Sequence, residues 1–382
     1  MPHSDAPFVF DTHVDSIQKT LDLGWDLGRE GRGHLDLVRG ARGGLGAVVL
    51  VSWCDPKFLA EGPEAATRRT RRLVACVQGL AQRHPELADL VTDGESFART
   101  RAAGRIALVA GIEGGHSLAG SLEELERFHA QGVRVLTLVW NNHLDWVRSC
   151  QDGAGPEVPA GLSDFGRQVV RRMNELGMLV DLSHAGEQSF FDALETSSRP
   201  VIASHSCCKA LHAHPRNLTD DQLRELGRAD GVVGIAFLPG FLDADSRAEA
   251  SRVRALPEFQ AIDEGNDTAT FIAQGEFIQA HAAPCGIDVM VRHVLHAIEI
   301  AGPSHVGLGS DYDGIDHAVQ GLEDASCYPL LANALSAAGL APTEVAGVMG
   351  DNMARAFAAA TRGAGPVTDW IEANAARERA TH

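Results

Sequence analysis

No apolar run in this chain reaches about 18 residues, the length a helix needs to cross a bilayer, so a transmembrane helix is excluded. Met1 to Phe10 have neither a basic start nor an apolar stretch, and no secretory leader is expected. Basic side chains are in deficit: 33 Lys and Arg stand against 51 Asp and Glu, a formal net charge of −18. A surface that acidic repels phosphate, so neither nucleic acid nor a membrane is expected as a partner. The seven cysteines are odd in number and lack CxxC spacing. That argues against a disulfide framework or a zinc ribbon and fits a reducing cytoplasm. Internal repeats and low-complexity linkers are also missing. What is present is 382 residues, 45% hydrophobic and 22% charged, sufficient for a sizeable core. There are also 17 histidines.

Short apolar, β-branched runs alternate with longer amphipathic segments. The runs are Phe8–Phe10, Gly46–Ser52, Ile106–Ile112, Val133–Val139, Met178–Leu182, Val201–Ser204, Val232–Phe237 and Val306–Gly309. Continuous apolar runs suit a parallel sheet buried on both faces. Helical patterns fall at Glu64–Arg83, Ser121–Gln131, Ser163–Leu176, Glu187–Ser197, Asp220–Ala229, Thr268–His281, Val289–Ala301 and Pro342–Ala360. Ser121 with Glu124 reads as a capping box, and Ser163 and Thr219 as N-caps. Eight βα units in series predict an α/β (β/α)8 TIM barrel, with a doubly wound open sheet as the alternative. One domain over residues 1–382 is expected. It would carry a long connection at Leu238–Asp267, where a substrate lid could sit, and a C-terminal tail over 363–382.

Metal-capable residues stand just after these runs. The first is followed by Asp11 to Asp15 (DTHVD), the third by Glu113 to His116 (EGGH), and the fifth ends in Asp181 to His184 (DLSH). The sixth is followed by His205, and the eighth by Ser310 to Gly314 (SDYDG). In a barrel such positions converge on the C-terminal mouth, where these folds place catalysis. Each has a plain structural reading: a hydrogen-bonded cap for His13 and Asp15, a helix-cap carboxylate for Glu113, satisfied histidines for His184 and His205, a turn for Asp311 and Asp313. Together they make three imidazoles and two carboxylates, a donor set for zinc or another first-row divalent ion. Five ligands point to two metals sharing a carboxylate, with a hydroxide between them. Asp311 or Asp313 can then serve as general base and acid.

These motifs resemble the renal (membrane) dipeptidase family, the M19 metallopeptidases. The matching pieces are Asp11–Asp15, Gly111–Ser117 (GIEGGHS), Gly161–Gly166 (GLSDFG), Asp181–His184, Ser204–Ser206, Arg216-Asn217, Gly307–Gly314 (GLGSDYDG), Gly321–Asp324 (GLED) and Asp351-Asn352. They run in order across nearly the whole chain. The resemblance implies an amidohydrolase-like barrel and a zinc-dependent dipeptidase, of the soluble bacterial type. It assigns His13, Asp15 and Glu113 to one zinc and Glu113, His184 and His205 to a second, with Glu113 and a hydroxide bridging them. Asp311 would be the acid/base, Arg216 would grip the free C-terminal carboxylate of a dipeptide, and His116 would orient a ligand. A homodimer is also implied. One departure stands out. Where the family commonly has a histidine after the fourth strand, this chain has Trp140, followed by Asn141, Asn142 and His143, so Trp140 and His143 are expected to touch substrate.

Two other readings compete. A related binuclear hydrolase could act on a lactam, lactone or N-acyl amino acid, although Val133–Val147 lacks the lysine that many amidohydrolases use as a metal bridge. A non-catalytic metal-binding scaffold is opposed by the complete ligand set. Gly43 to Gly46 precedes a strand instead of following one, the wrong context for a dinucleotide loop. Cys207-Cys208 reads as buried thiols.

Overall fold

The computed structural model describes residues 7–363; the tail anticipated at 363–382 lies outside them beyond Gly363. Among the described residues there are nine strands: β1 (Val9–Val14), β2 (Leu45–Trp53), β3 (Ala88–Leu90), β4 (Ile106–Glu113), β5 (Val133–Thr137), β6 (Leu179–Asp181), β7 (Val201–Ser206), β8 (Val232–Ile235) and β9 (Val306–Leu308). All eight apolar runs became strands, and β3 is the one not anticipated. The ladders are parallel, in the order β2-β1-β9-β8-β7-β6-β5-β4. Ala47 to Trp53 of β2 then pair with Ala107 to Glu113 of β4. That pairing closes an eight-stranded barrel and rules out the open sheet. β3 only extends the start of β4, outside the ring.

The helices follow the amphipathic segments closely, for example Pro63–Arg83, Asp164–Leu176 and Ile287–Ala301. Thr219 and Gln222 form a full capping box. The box anticipated at Ser121 is half made. Its hydroxyl accepts the Glu124 N–H, but the Glu124 carboxylate goes to Arg71 and Arg127. The segment Pro342–Ala360 is not one helix. It splits into Pro342–Ala346 and Asn352–Ala360 around a wide turn at Gly347–Asp351. There the Asn352 amide donates to the Pro303 and Val306 carbonyls, so the chain bends to reach the barrel's lower rim. The connection after β8 contains three short helices, Pro239–Leu242, Ala244–Arg254 and Pro257–Gln260. Among the described residues no helix is long and apolar enough to cross a membrane.

Strand residues alternate between two cores, because successive side chains point to opposite faces. Val48, Leu50, Leu108, Ala110 and Leu136 pack outward under the helices. Phe10, Val49, Val109, Val135, Leu179, Ile202 and Val232 pack inward, and Met353 and Phe357 of the helix Asn352–Ala360 close this inner core. Two residues further along the inward face, apolar gives way to polar at Thr12, Thr137, Asp181 and Ser204, all buried. The Thr12 hydroxyl lies 2.7 Å from the Leu308 carbonyl and 2.5 Å from that of Ser204. Gly309 makes this closeness possible. A Cβ there would sit 1.7 Å from the Ser204 carbonyl oxygen.

Gly309→Ala is therefore expected to destabilise the barrel by roughly 1–3 kcal/mol or more, through overpacking. Urea unfolding would measure it. An unchanged midpoint would show that β7 and β9 can part without cost.

Candidate metal and active site

The ends of four strands bring five donors together at the C-terminal mouth: His13 from β1 and Asp15 just after it, Glu113 from β4, His184 after β6 and His205 within β7. All five are buried. His13 Nε2 lies 3.6 Å from Asp15 Oδ2 and 3.7 Å from Glu113 Oε1. The same Glu113 oxygen is 2.8 Å from His184 Nε2 and 3.4 Å from His205 Nε2. The donors thus form two groups of metal-binding spacing, His13–Asp15–Glu113 and Glu113–His184–His205, with Glu113 common to both. His184 Nε2 and His205 Nε2 face each other at 3.0 Å, a separation that calls for a cation or a proton between them. His13 Nε2 is buried with no hydrogen-bond partner. Both features fit a pair of divalent ions.

The opposite ring nitrogens are tied down. His184 Nδ1 is 2.9 Å from Asn141 Oδ1, while His13 Nδ1 and His205 Nδ1 are 3.1 and 2.8 Å from Ser204 Oγ. A third group with suitable spacing, His13–Asp181–His205, is a poor metal position. Asp181 already accepts from the Ser183 and Ser204 N–H groups and from the Thr137 and Ser204 hydroxyls.

Electrostatics divide the charge unevenly. Burial opposes a charge on His13, yet Glu113, Asp15 and Asp311 lift it to about 10. Burial and Arg216 push His184 down to about 4; burial, His13 and Arg216 also lower His205. Burial alone would raise Glu113, but His13 and His184 hold its carboxyl below the usual range. Asp15 is raised by burial, with Glu113 and Asp311 adding to it. Asp311 follows β9, and its carboxyl hydrogen-bonds with that of Asp15. Enclosure by the chain pushes Asp311 up to about 7. A bound dication would pull it back down.

Arg216 is buried beside β7. Its Nη2 donates to the His205 carbonyl at 3.1 Å, its guanidinium stands 5.4 Å over the Phe241 ring, and its Nε is buried without a partner. Arg216 and His184 line a cavity of about 430 Å3, together with Arg148, Ser149 and Lys209. Trp140 stands 6.2 Å from the His184 ring and 5.2 Å from Trp53 at the end of β2. His143 is occupied within its own loop, by Ser149 on Nδ1 and the Asp152 carbonyl on Nε2. His116 donates from Nε2 to the Cys54 carbonyl, 2.8 Å away. Sequence reasoning gave Trp53, Ser204 and Asp181 no role. For the last two the available signal was the inward parity of β6 and β7.

The loop carrying Asp311 is braced from behind. Asp313 accepts from Lys19 Nζ at 2.7 Å, from the His34 N–H at 2.8 Å and from the Ser16 hydroxyl. Lys19 also donates to the Arg32 and Leu35 carbonyls. His184, Asp311 and Asp313 all have left-handed backbone, with φ of 66°, 60° and 64°. Such residues cost ~1–3 kcal/mol each and persist where their surroundings fix them.

The sequence profile of the membrane dipeptidase family, peptidase family M19, matches residues 4–366. The chain belongs to this family. Its members are metal-dependent hydrolases of dipeptides, in keeping with the donors gathered here. Dipeptidase tcpJ of Claviceps purpurea is 33% identical over 354 residues, 91% of this chain and 72% of its own length. An uncharacterized dipeptidase of Schizosaccharomyces pombe is 33% identical over 365 residues, 93% of this chain and 79% of its own. Among solved structures, the probable dipeptidase PvdM from Pseudomonas aeruginosa has a TM-score of 0.80 at 22% identity, covering 93% of this chain and 96% of that one. The M19 metallopeptidase dipeptidase AC has 0.77 at 25%, covering 93% and 99%.

In this M19 barrel the Lys19–Asp313 pair is enclosed, with side chains 2% and 3% exposed. Lys19→Met leaves the carboxylate without its cation and should cost at least about 3 kcal/mol. The pH dependence has a definite sign. Burial opposes the Asp313 charge, but Lys19 and His34 hold its pKa at about 2. Its contribution is full above the unfolded value, about pH 4, and drains away as the pH falls through about 2. In Lys19→Met that contribution is gone, so the stability gap to wild type should narrow as the pH falls below about 4. Urea unfolding at several pH values would show this, and identical acid limbs would refute it.

Proposed function

We propose that the chain is a two-zinc dipeptidase, with one ion at His13, Asp15 and Glu113 and the other at Glu113, His184 and His205. The observation that carries this reading is the single Glu113 oxygen shared by two donor groups. The imidazole and carboxylate donors suit zinc. When bound, such ions lower the pKa of water and polarise the scissile carbonyl.

The chain's own residues supply the rest. Arg216 pairs with the free C-terminal carboxylate of the substrate and draws it into the cavity beside His184. A longer peptide would offer an amide there, which favours dipeptides. Asp311 accepts a proton from the attacking water and returns it to the departing amine nitrogen. Trp140 and Trp53 pack together beside His184 and receive the N-terminal side chain. His143, held by Ser149 and the Asp152 carbonyl, keeps to its own loop. All seven cysteines are free thiols, in keeping with a reducing cytoplasm.

The test is amino acid release from a panel of L,L and L,D dipeptides by zinc-loaded and chelated protein. Cleavage that needs metal is expected. Absence of cleavage with zinc bound would favour the lactam or N-acyl amino acid reading. Asp311→Asn should lower kcat by about 10²–10⁴-fold while keeping both ions; full turnover would remove the acid/base role. A C-terminally amidated dipeptide should be a poor substrate, and equal rates for amide and acid would remove the role of Arg216.

A further inference from the structure

We propose that Ser204 and Asp181 act as one positioning unit that sets the hydrogen placement on two imidazoles, one from each donor group, through a single hydroxyl. The proposal rests on reading His13 and His205 as metal ligands. A hydroxyl has one hydrogen to donate and two lone pairs with which to accept. The Ser204 hydrogen goes to Asp181 Oδ2, 2.6 Å away. The lone pairs then face His13 Nδ1 at 3.1 Å and His205 Nδ1 at 2.8 Å. Each ring must therefore carry its hydrogen on Nδ1, which leaves Nε2 to offer a lone pair at the centre.

Asp181 has no freedom to release Ser204. Its Oδ1 accepts the Ser183 and Ser204 N–H groups at 3.0 and 2.8 Å, and its Oδ2 also accepts the Thr137 hydroxyl at 2.5 Å. The site is fully buried, so water cannot replace these donors. His13 belongs with Asp15, and His205 with His184. One hydroxyl therefore governs both ion positions. His184 is outside the unit, because Asn141 holds it. Asp181→Asn would keep the shape and reverse the polarity. Its amide NH2 would face the hydroxyls, since the other orientation meets two backbone N–H groups. Ser204 would then have to turn its hydrogen onto a histidine Nδ1, which moves that ring's own hydrogen to Nε2.

Two measurements test this. The first is the two-bond ¹H–¹⁵N spectrum of histidine-labelled, metal-free wild-type protein. The expected result is a His205 that carries a hydrogen on Nδ1, and a His205 whose Nδ1 is bare overturns the proposal. The second is zinc affinity by chelator competition. Ser204→Ala and Asp181→Asn should weaken both ions by about 10–100-fold, the usual effect of losing a partner behind a ligand. Asn141→Ala should weaken only one. If Ser204→Ala weakens only one ion, or neither, the proposal fails. If wild-type protein does not bind two ions, the metal reading fails instead, and the His205 spectrum still decides the role of the hydroxyl. The spectrum needs no variant, so a misfolded Ser204→Ala protein would not obscure the result.

Discussion

A single carboxylate oxygen, Glu113 Oε1, lies within 3.7 Å of three imidazole nitrogens in the buried mouth of the barrel. Asp15 and Asp311 crowd the same space and hydrogen-bond with each other. Three carboxyls so close cannot all ionise without positive charge among them. Burial and the neighbouring carboxylates raise His13, Asp15 and Asp311 alike, and divalent cations among these donors would answer the same demand. Arg216 and the strained loops on either side are arranged around this requirement.

The barrel supplies the rigidity. Each inward row begins with an apolar side chain in the lower core and ends in a polar one: Phe10 then Thr12, Val135 then Thr137, Leu179 then Asp181, Ile202 then Ser204. This polar layer lies between the apolar floor and the histidines. His13 and His205 reach the centre because the ladders slip there. Register shifts fall between Asp11 and Val14 and between Ala203 and Ser206. A regular strand would have aimed those two rings into the outer core.

The barrel was readable because parallel strands buried on both faces leave unbroken apolar runs, and all eight stood out. β3 is three residues long and has no such run. The helices Ile17–Leu23, Leu37–Arg42 and Tyr328–Ala337 were also missed. They are short and held by tertiary contacts, such as the Tyr328 hydroxyl on Asp11 at 2.5 Å, which leave little periodic signature. The donors were legible as residue types at strand ends, and resemblance sorted them into two sets. The hydrogen-bonding layer was harder to see. Serine, threonine and a single aspartate inside apolar runs look like ordinary strand residues until the inward parity of neighbouring strands is aligned.

Phe10 of β1 packs against Phe357, and Asp11 pairs with Leu308 of β9. The first and last parts of the described chain therefore complete one another. During synthesis β1 leaves the ribosome long before either partner exists, with only β2 available beside it. His13 and Asp15 can meet Glu113 early, but the barrel cannot close until some three hundred further residues have followed. Secure capture of metal is thus an event of the finished chain. A nascent or truncated polypeptide would expose its histidines to the cell without the enclosure that makes them selective.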